Sequence, residues 1–413
     1  MISNERDFTS CRQNSLKSYL GANGSKRCFI IDGEDYMVKF PASPTKETEL
    51  SYTNSCISEY IGCHIFELAG IPVQKTILGT YTTDSGKKKI VVACKDFRKP
   101  GVELIPFAGL KNQIIDSPRN GYGTELADIL ESFEKQDLFS FDELKERFWD
   151  MFIVDALIGN WDRHNGNWGY LYDSINNTVS LAPVYDCGSS LFPQADESTL
   201  KGILENKNEL NYRVYSIPLS SIKINDKKIN YRDFISSLKN EDCNRALKKI
   251  YPRLTLDGIA EIIDKTPYIT DLQKNFFSKI LESRYELILA SSYRKLLKIE
   301  RNASQSKNTS IYSLNSDSLG KEYVNKILEY SIQLPLKEAT LKAHEELINA
   351  NPAEKKLKQQ LLNNYFVKLG IKNNSEFISY INKLKTTTKK VVPKVSDYDL
   401  SRCFSSSSGK MNQ

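Results

Sequence analysis

Between residues 159 and 167 the chain reads Gly-Asn-Trp-Asp-Arg-His-Asn-Gly-Asn, and Asp186 follows in Pro-Val-Tyr-Asp-Cys-Gly. A run so rich in Gly, Asn and Asp reads as a loop. The apolar spacing of Phe148, Phe152 and Ala156 predicts a core helix over 141–158 that delivers the chain into it. Short strands predicted at 169–172 and 179–181 flank the turn around Asp173. Three groups able to handle a proton or a metal, Asp162, Asn167 and Asp186, thus bracket two short strands. Transfer of a nucleotide phosphoryl group needs that arrangement.

A chain of 413 residues has room for a bilobal catalytic body with an appendage. Its eight cysteines are scattered without a Cys-x-x-Cys pair, several of them in apolar runs, which reads as reduced thiols and not as a disulfide or zinc framework. No apolar run is long enough to cross a bilayer, and the first 25 residues lack the apolar centre of a signal peptide, so no membrane span and a soluble, cytosolic protein are expected. The formal charge of +6 is a mild excess, and direct nucleic-acid binding is not expected.

The first 97 residues read as a small nucleotide-binding lobe of strand, strand, helix, strand, strand. Strands are predicted at 28–31 and 36–40 around Asp32-Gly33-Glu34-Asp35, a helix within 48–68, and a hairpin from 76–82 to 90–94. Residues 98–121, with Pro100, Pro106 and Pro118, read as irregular. The 98–300 stretch should form a larger, mostly helical lobe, with helices around 231–264 and a long one near 270–299. The Ser- and Asn-rich stretch 301–320 reads as a linker or flexible loop, 321–385 as a helical extension broken near Asn351-Pro352, and 386–413 as a flexible tail.

Each of these residue types suits a role in phosphoryl transfer. Asp162 would orient the acceptor hydroxyl, and Asn167 and Asp186 would hold Mg²⁺. Lys39, on the second strand, would neutralise the nucleotide phosphates, with Glu59 as its orienting partner and Glu47, Glu49 and Glu67 as competitors. The small residues Gly21, Ala22, Asn23, Gly24 and Ser25 would let backbone N–H groups approach phosphate oxygens. Backbone groups of Cys94, Lys95 and Asp96 would meet the adenine edge, with Val38 and Val92 on its faces. His164 reads as a brace of the loop in the nucleotide site and not as a metal ligand.

The segments 157–167 and 181–186 resemble the catalytic loop and second metal segment of HipA-like serine/threonine kinases. That resemblance implies an α+β, bilobal fold related to protein and phosphoinositide kinases. It also implies ATP and Mg²⁺ as cofactors, and Asp162 and Asn167 as the catalytic and metal-binding positions. Lys39 falls on the nucleotide-binding lysine. Ser18-Tyr19-Leu20-Gly21-Ala22 is similar to the family's phosphate-loop segment, implying autophosphorylation at Ser18 or, as the alternative, Ser25. The resemblance spans about residues 15–300 and starts early, as in short, stand-alone bacterial forms without the usual N-terminal subdomain.

The implied partners are a protein substrate with a Ser/Thr acceptor and a separate antitoxin or regulatory protein. The implied location is the bacterial cytoplasm, or a host cell if the protein is a delivered effector or toxin. Two alternatives stay open: a lipid or small-molecule kinase of the phosphoinositide-kinase type, whose catalytic loop shares the Asp-Arg-His-Asn-x-Asn pattern, and a kinase-like binding scaffold.

Overall fold

The computed structural model describes residues 6–19, 26–41, 54–115, 119–217, 219–313, 315–352 and 354–388, with backbone alone at 303–313 and 387–388. It is a mixed helix-and-sheet protein whose chain divides into two compact units, residues 1–299 and 300–413.

The first unit opens with a four-stranded antiparallel sheet. Strands β1 (Lys26–Ile31), β2 (Glu34–Lys39), β3 (Thr76–Thr82) and β4 (Lys88–Lys95) stand in the order β1-β2-β4-β3. Alternation gives the sheet two different faces. Val38, opposite Ala93, joins Phe8, Phe29, Ile31, Phe40 and Val91 in an outer apolar cluster. Helix α1 (Ser55–Leu68) covers the other face, on which Lys39 stands opposite Val92 and Met37 opposite Cys94. Val38 and Val92 therefore cannot line one pocket together, because β2 and β4 pair in a register that puts them on opposite faces.

A segment not anticipated as structured, residues 6–14, runs along the sheet. Phe8 and Ile30 donate their N–H groups to Thr80 O (2.9 Å) and Arg12 O (2.8 Å), and Asn14 N–H donates to Cys28 O (2.8 Å).

The stretch 98–121, expected to be irregular, contains strand β5 (Val102–Pro106) and helix α2 (Phe107–Ile114). Pro106 ends the strand and caps the helix at φ −60°, a position where its missing N–H costs nothing. Helices α3 (Leu126–Lys135) and α4 (Phe141–Ile158) follow, and Ser140 Oγ caps α4 by accepting the Glu143 N–H at 3.2 Å. Strands β6 (Gly169–Asp173) and β7 (Thr178–Leu181) complete a three-stranded sheet with β5. Beyond α5 (Glu197–Glu205) and α6 (Lys207–Tyr215) comes a hairpin, β8 (Leu219–Ile224) and β9 (Lys227–Asn230), that the sequence patterns did not reveal.

Helices α7 (Tyr231–Ser237), α8 (Glu241–Ile250) and α10 (Asp271–Arg284) pack against α4, and α9 (Leu256–Lys265) packs on α1 and α10. The long helix expected near 270–299 is interrupted by a π-helical segment, Tyr285–Ala290, before α11 (Ser291–Ser313). Much of the stretch 301–320, expected as a linker or loop, is thus helical. It contains no Gly or Pro before residue 313, and serine and asparagine cost a helix only about 0.5 kcal/mol each.

The second unit has its own core, built by α12 (Ser316–Tyr330), α13 (Leu336–His344), α14 (Lys355–Lys368) and α15 (Asn374–Thr388) around Tyr323, Ile327, Ile348, Leu362 and Ile381. Among the described residues no helix is long and apolar enough to cross a membrane.

Candidate active site

Lys39 ends β2 beneath α1, whose Glu59 is fully buried. Its ammonium lies 2.9 Å from Glu59 Oε2 and 2.9 Å from Asp186 Oδ1, so one cation joins the small sheet, the helix behind it and the segment after β7. Burial would lower the lysine pKa, but the two carboxylates outweigh it and hold the pKa well above the usual range. Burial alone would likewise raise Asp186; the Lys39 charge and hydrogen bond reverse this and hold it at about 2. Asp186 takes a left-handed backbone conformation, φ +60°, uncommon for a residue other than glycine. Of the competitors for Lys39, Glu67 is not among its ion-pair partners, and Glu47 and Glu49 lie outside the described residues.

Helix α4 stops at Gly159, φ +67°, where a side chain would meet the buried guanidinium of Arg284 at 2.2 Å. The loop that follows is organised by its own polar groups. Asn160 Oδ1 accepts the Asp162 N–H at 3.0 Å, and Asn160 Nδ2 donates to Asp155 at 3.1 Å. Asn167 Nδ2 donates to Asp162 O at 2.8 Å, which fixes the amide so that Oδ1 is its remaining polar atom. Burial raises the pKa of Asp162, and the nearby negative charge of Asp186 adds to this against His164 and Arg163. His164 Nδ1 accepts the Gly166 N–H at 2.9 Å, so its ring braces the loop, while Nε2 stands 3.9 Å from Asp162.

Arg163 carries a role that the sequence did not disclose. Its side chain is 5% exposed; it pairs with Asp155 of α4 at 2.9 and 3.1 Å and donates to the carbonyls of Asn167 (2.8 Å) and Tyr185. Those carbonyls belong to one candidate metal ligand and to the neighbour of the other. Tyr231 adds a hydrogen bond from its hydroxyl to Asn160 O at 2.6 Å. The one signal available beforehand was Asp155 itself, a carboxylate inside the apolar run 151–158.

Other expected nucleotide contacts are arranged differently. Cys94 is buried on the inner sheet face. Lys95 turns its ammonium to Glu34 at 2.6 Å, its N–H donates to Lys75 O, and its carbonyl accepts from Gln74 at 2.9 Å. The Asp96 N–H donates to Asp35 O. The Asp96 carboxylate accepts from the Tyr19 hydroxyl at 2.7 Å, pairs with Lys17 at 3.3 Å and takes the Arg98 guanidinium, which also lies over the Tyr19 ring at 4.5 Å. Lys17 pairs further with Asp35 at 2.9 Å. The segment leading to residues 20–25 is therefore clasped to the end of β4. Ser18, within this clasp, is exposed, whereas Gly21, Ala22, Asn23, Gly24 and Ser25 lie outside the described residues.

A family model described as the HipA-like C-terminal domain matches residues 22–262, all within the first unit. The serine/threonine-protein kinase CtkA of Helicobacter pylori is 45% identical over 294 residues, covering 71% of this chain and 89% of that protein. The crystal structure of the Helicobacter pylori proinflammatory kinase CtkA superposes with a TM-score of 0.68 at 44% identity, over 71% of this chain and 98% of that one. A Shewanella oneidensis complex of HipA, HipB and operator DNA matches with a TM-score of 0.42 at 13% identity, over 69% of this chain and 70% of that one.

Proposed function

The chain belongs to the HipA-like kinase family, and from that premise we propose that it is a serine/threonine protein kinase that uses Mg²⁺-ATP, with its chemistry at Lys39, Asp162, Asn167 and Asp186. The observation that carries the reading is the Lys39 ammonium, held at 2.9 Å from both Glu59 and Asp186 in the same unit as the Asp162–Asn167 loop.

The donor set suits magnesium. Among the described residues no cluster of three or more His, Cys, Asp or Glu side chains forms a self-sufficient metal cage. Asn167 and Asp186 offer hard oxygen donors, and magnesium bound by one or two protein oxygens completes its shell with phosphates and water. When bound there, the ion would neutralise negative charge on the transferring phosphoryl group. Lys39 would bind phosphate oxygens, its direction set by Glu59. Asp162 would orient the acceptor hydroxyl and take its proton late in the transfer, a task that its burial-raised pKa favours. Arg163 would keep the two halves of the site in register, so that much of the acceleration comes from positioning. Ser18, exposed beside the clasp, is the proposed self-phosphorylation position; two added negative charges next to Asp96 would favour release of the segment.

Intact-mass analysis after incubation with Mg²⁺-ATP, with fragmentation to locate the site, tests the reading. A gain of phosphate on serine or threonine in the wild type and none in Asp162→Ala supports it. Equal gain in both proteins overturns the residue assignments, and a wild type that binds ATP yet phosphorylates neither itself nor a serine peptide overturns the kinase reading.

A further inference from the structure

The chain from Arg119 to Thr124 contributes nothing to the proposed nucleotide chemistry, yet it is fastened to the catalytic loop by buried donors. Lys111, whose side chain is fully buried, donates its ammonium to Gly123 O at 2.7 Å. Asn165 Nδ2 donates to Gly121 O at 2.9 Å and to Gly123 O at 2.7 Å. Gly121 sits at φ +81°, where a Cβ would fall 1.8 Å from Ala108 O, so no other residue fits there. Between these two clamped glycines stands Tyr122, 50% exposed, its ring edge-on to His164 at 5.9 Å. The ring holds none of the clamping hydrogen bonds. The clamped turn thus presents a half-exposed aromatic ring beside His164, two residues along the chain from the proposed base.

A second element is tied to the same turn. The Lys223 N–H donates to Thr124 O at 2.8 Å, Thr124 Oγ1 donates to Ser221 O at 2.7 Å, and the Glu125 carboxylate accepts the N–H groups of Asn225 (2.7 Å) and Asp226 (3.2 Å). At the end of β9, Tyr231 reaches Asn160 of the catalytic loop. The hairpin so anchored carries Lys223, Lys227 and Lys228, and its register sets Lys223 directly opposite Lys228. Like charges in directly opposed positions weaken a two-stranded ribbon, and the fully exposed Asp226 carboxylate at the turn, 4.0 Å from Lys223, offsets that only weakly. Lys227 and Lys228 are exposed.

We infer that Tyr122 and the Lys223–Lys228 cross-strand pair form the acceptor-recognition surface of the enzyme, and that it takes a protein segment whose serine or threonine is flanked by carboxylate side chains. The inference rests on the kinase reading and specifies its substrate class. The exposed ring supplies a face for the main chain around the acceptor hydroxyl, as aromatic residues do in recognition sites. The paired ammonium groups attract acidic neighbours of that hydroxyl and repel basic ones.

The full chain with Mg²⁺-ATP should be given three serine peptides of one length whose flanking positions are aspartate, alanine or lysine. Because each partly exposed charge contact is worth a few-fold, two lysines predict a preference in kcat/KM of about 10-fold for the aspartate over the lysine peptide, shrinking with added salt. Lys228→Glu should erase or invert the ratio, with the KM for ATP unmoved and a melting temperature like that of the wild type. Tyr122→Ala should raise the KM of the aspartate peptide and leave that for ATP in place. Equal use of all three peptides, a ratio unmoved by Lys228→Glu, or self-phosphorylation with no peptide phosphorylated would overturn the acceptor surface and leave the kinase reading standing. Absence of both self-phosphorylation and peptide phosphorylation would overturn the two together.

Discussion

A guanidinium removed from water persists only where its N–H groups find acceptors, and Arg163 finds Asp155 and the carbonyls of Asn167 and Tyr185. Arg163→Met leaves Asp155 buried without its partner and is expected to cost about 3–5 kcal/mol in urea unfolding, with part recovered in the double variant that also carries Asp155→Leu. This role was illegible in the sequence, because the arginine stands in the motif beside Asp162 while its burial and its acceptor on Tyr185, 22 residues away, arise only on folding. Asp162, by contrast, is proposed from its neighbours in the loop. Since burial raises its pKa, kcat/KM for the acceptor should fall as pH drops through a value above the ordinary aspartate range, and Asp162→Asn should abolish that limb with a loss of about 10²–10⁴-fold, read in a pH–rate profile. The two aspartates act oppositely on stability. The contribution of Asp162 is complete below the ordinary aspartate pKa and lost as pH rises through its raised value; that of Asp186 is present above the ordinary value and lost as pH falls toward about 2.

At the scale of elements, the clasp of Lys17 and Tyr19 on Asp96 positions the chain entering residues 20–25. Tyr19→Phe removes one hydrogen bond to a carboxylate and keeps the ring beneath Arg98. It is expected to raise the KM for ATP roughly 3- to 10-fold with kcat little changed, whereas a merely structural loss would lower the melting temperature and kcat together. Strands and helices with clear period, such as β1 to β4, α1 and α4, were readable from alternation and apolar spacing. Sheet faces were not, since which of Val38 and Val92 faces α1 depends on the β2–β4 register. The β8–β9 hairpin escaped because its strands are short and β9 opens with two lysines, and β5 because three prolines dominate its surroundings. Helix α11 shows the converse: a polar composition that resembles a linker continues a helix when nothing in it breaks one.

On the scale of the whole molecule, the two units have separate apolar cores, and the family match ends at residue 262, inside the first. A chain ending at Ser313 is therefore expected to retain turnover within about twofold of the full chain, measured as phosphate incorporation per molecule. Within the first unit, Lys39 belongs to the small sheet and Asp186 to the segment after β7, and a single ammonium ties them. A lysine that neutralises a proposed metal ligand would also compete with the metal. Every divalent ion reaching Asp186 has to displace a charge already in place, and a nucleotide, by drawing Lys39 onto its phosphates, would free the carboxylate as it arrives. Lys39→Met should accordingly bind Mn²⁺ about fivefold more tightly in calorimetry without nucleotide, on the scale of a partly exposed ion pair, while its turnover collapses. With these proposed roles, the ion pair would favour metal and nucleotide entering together over metal entering alone.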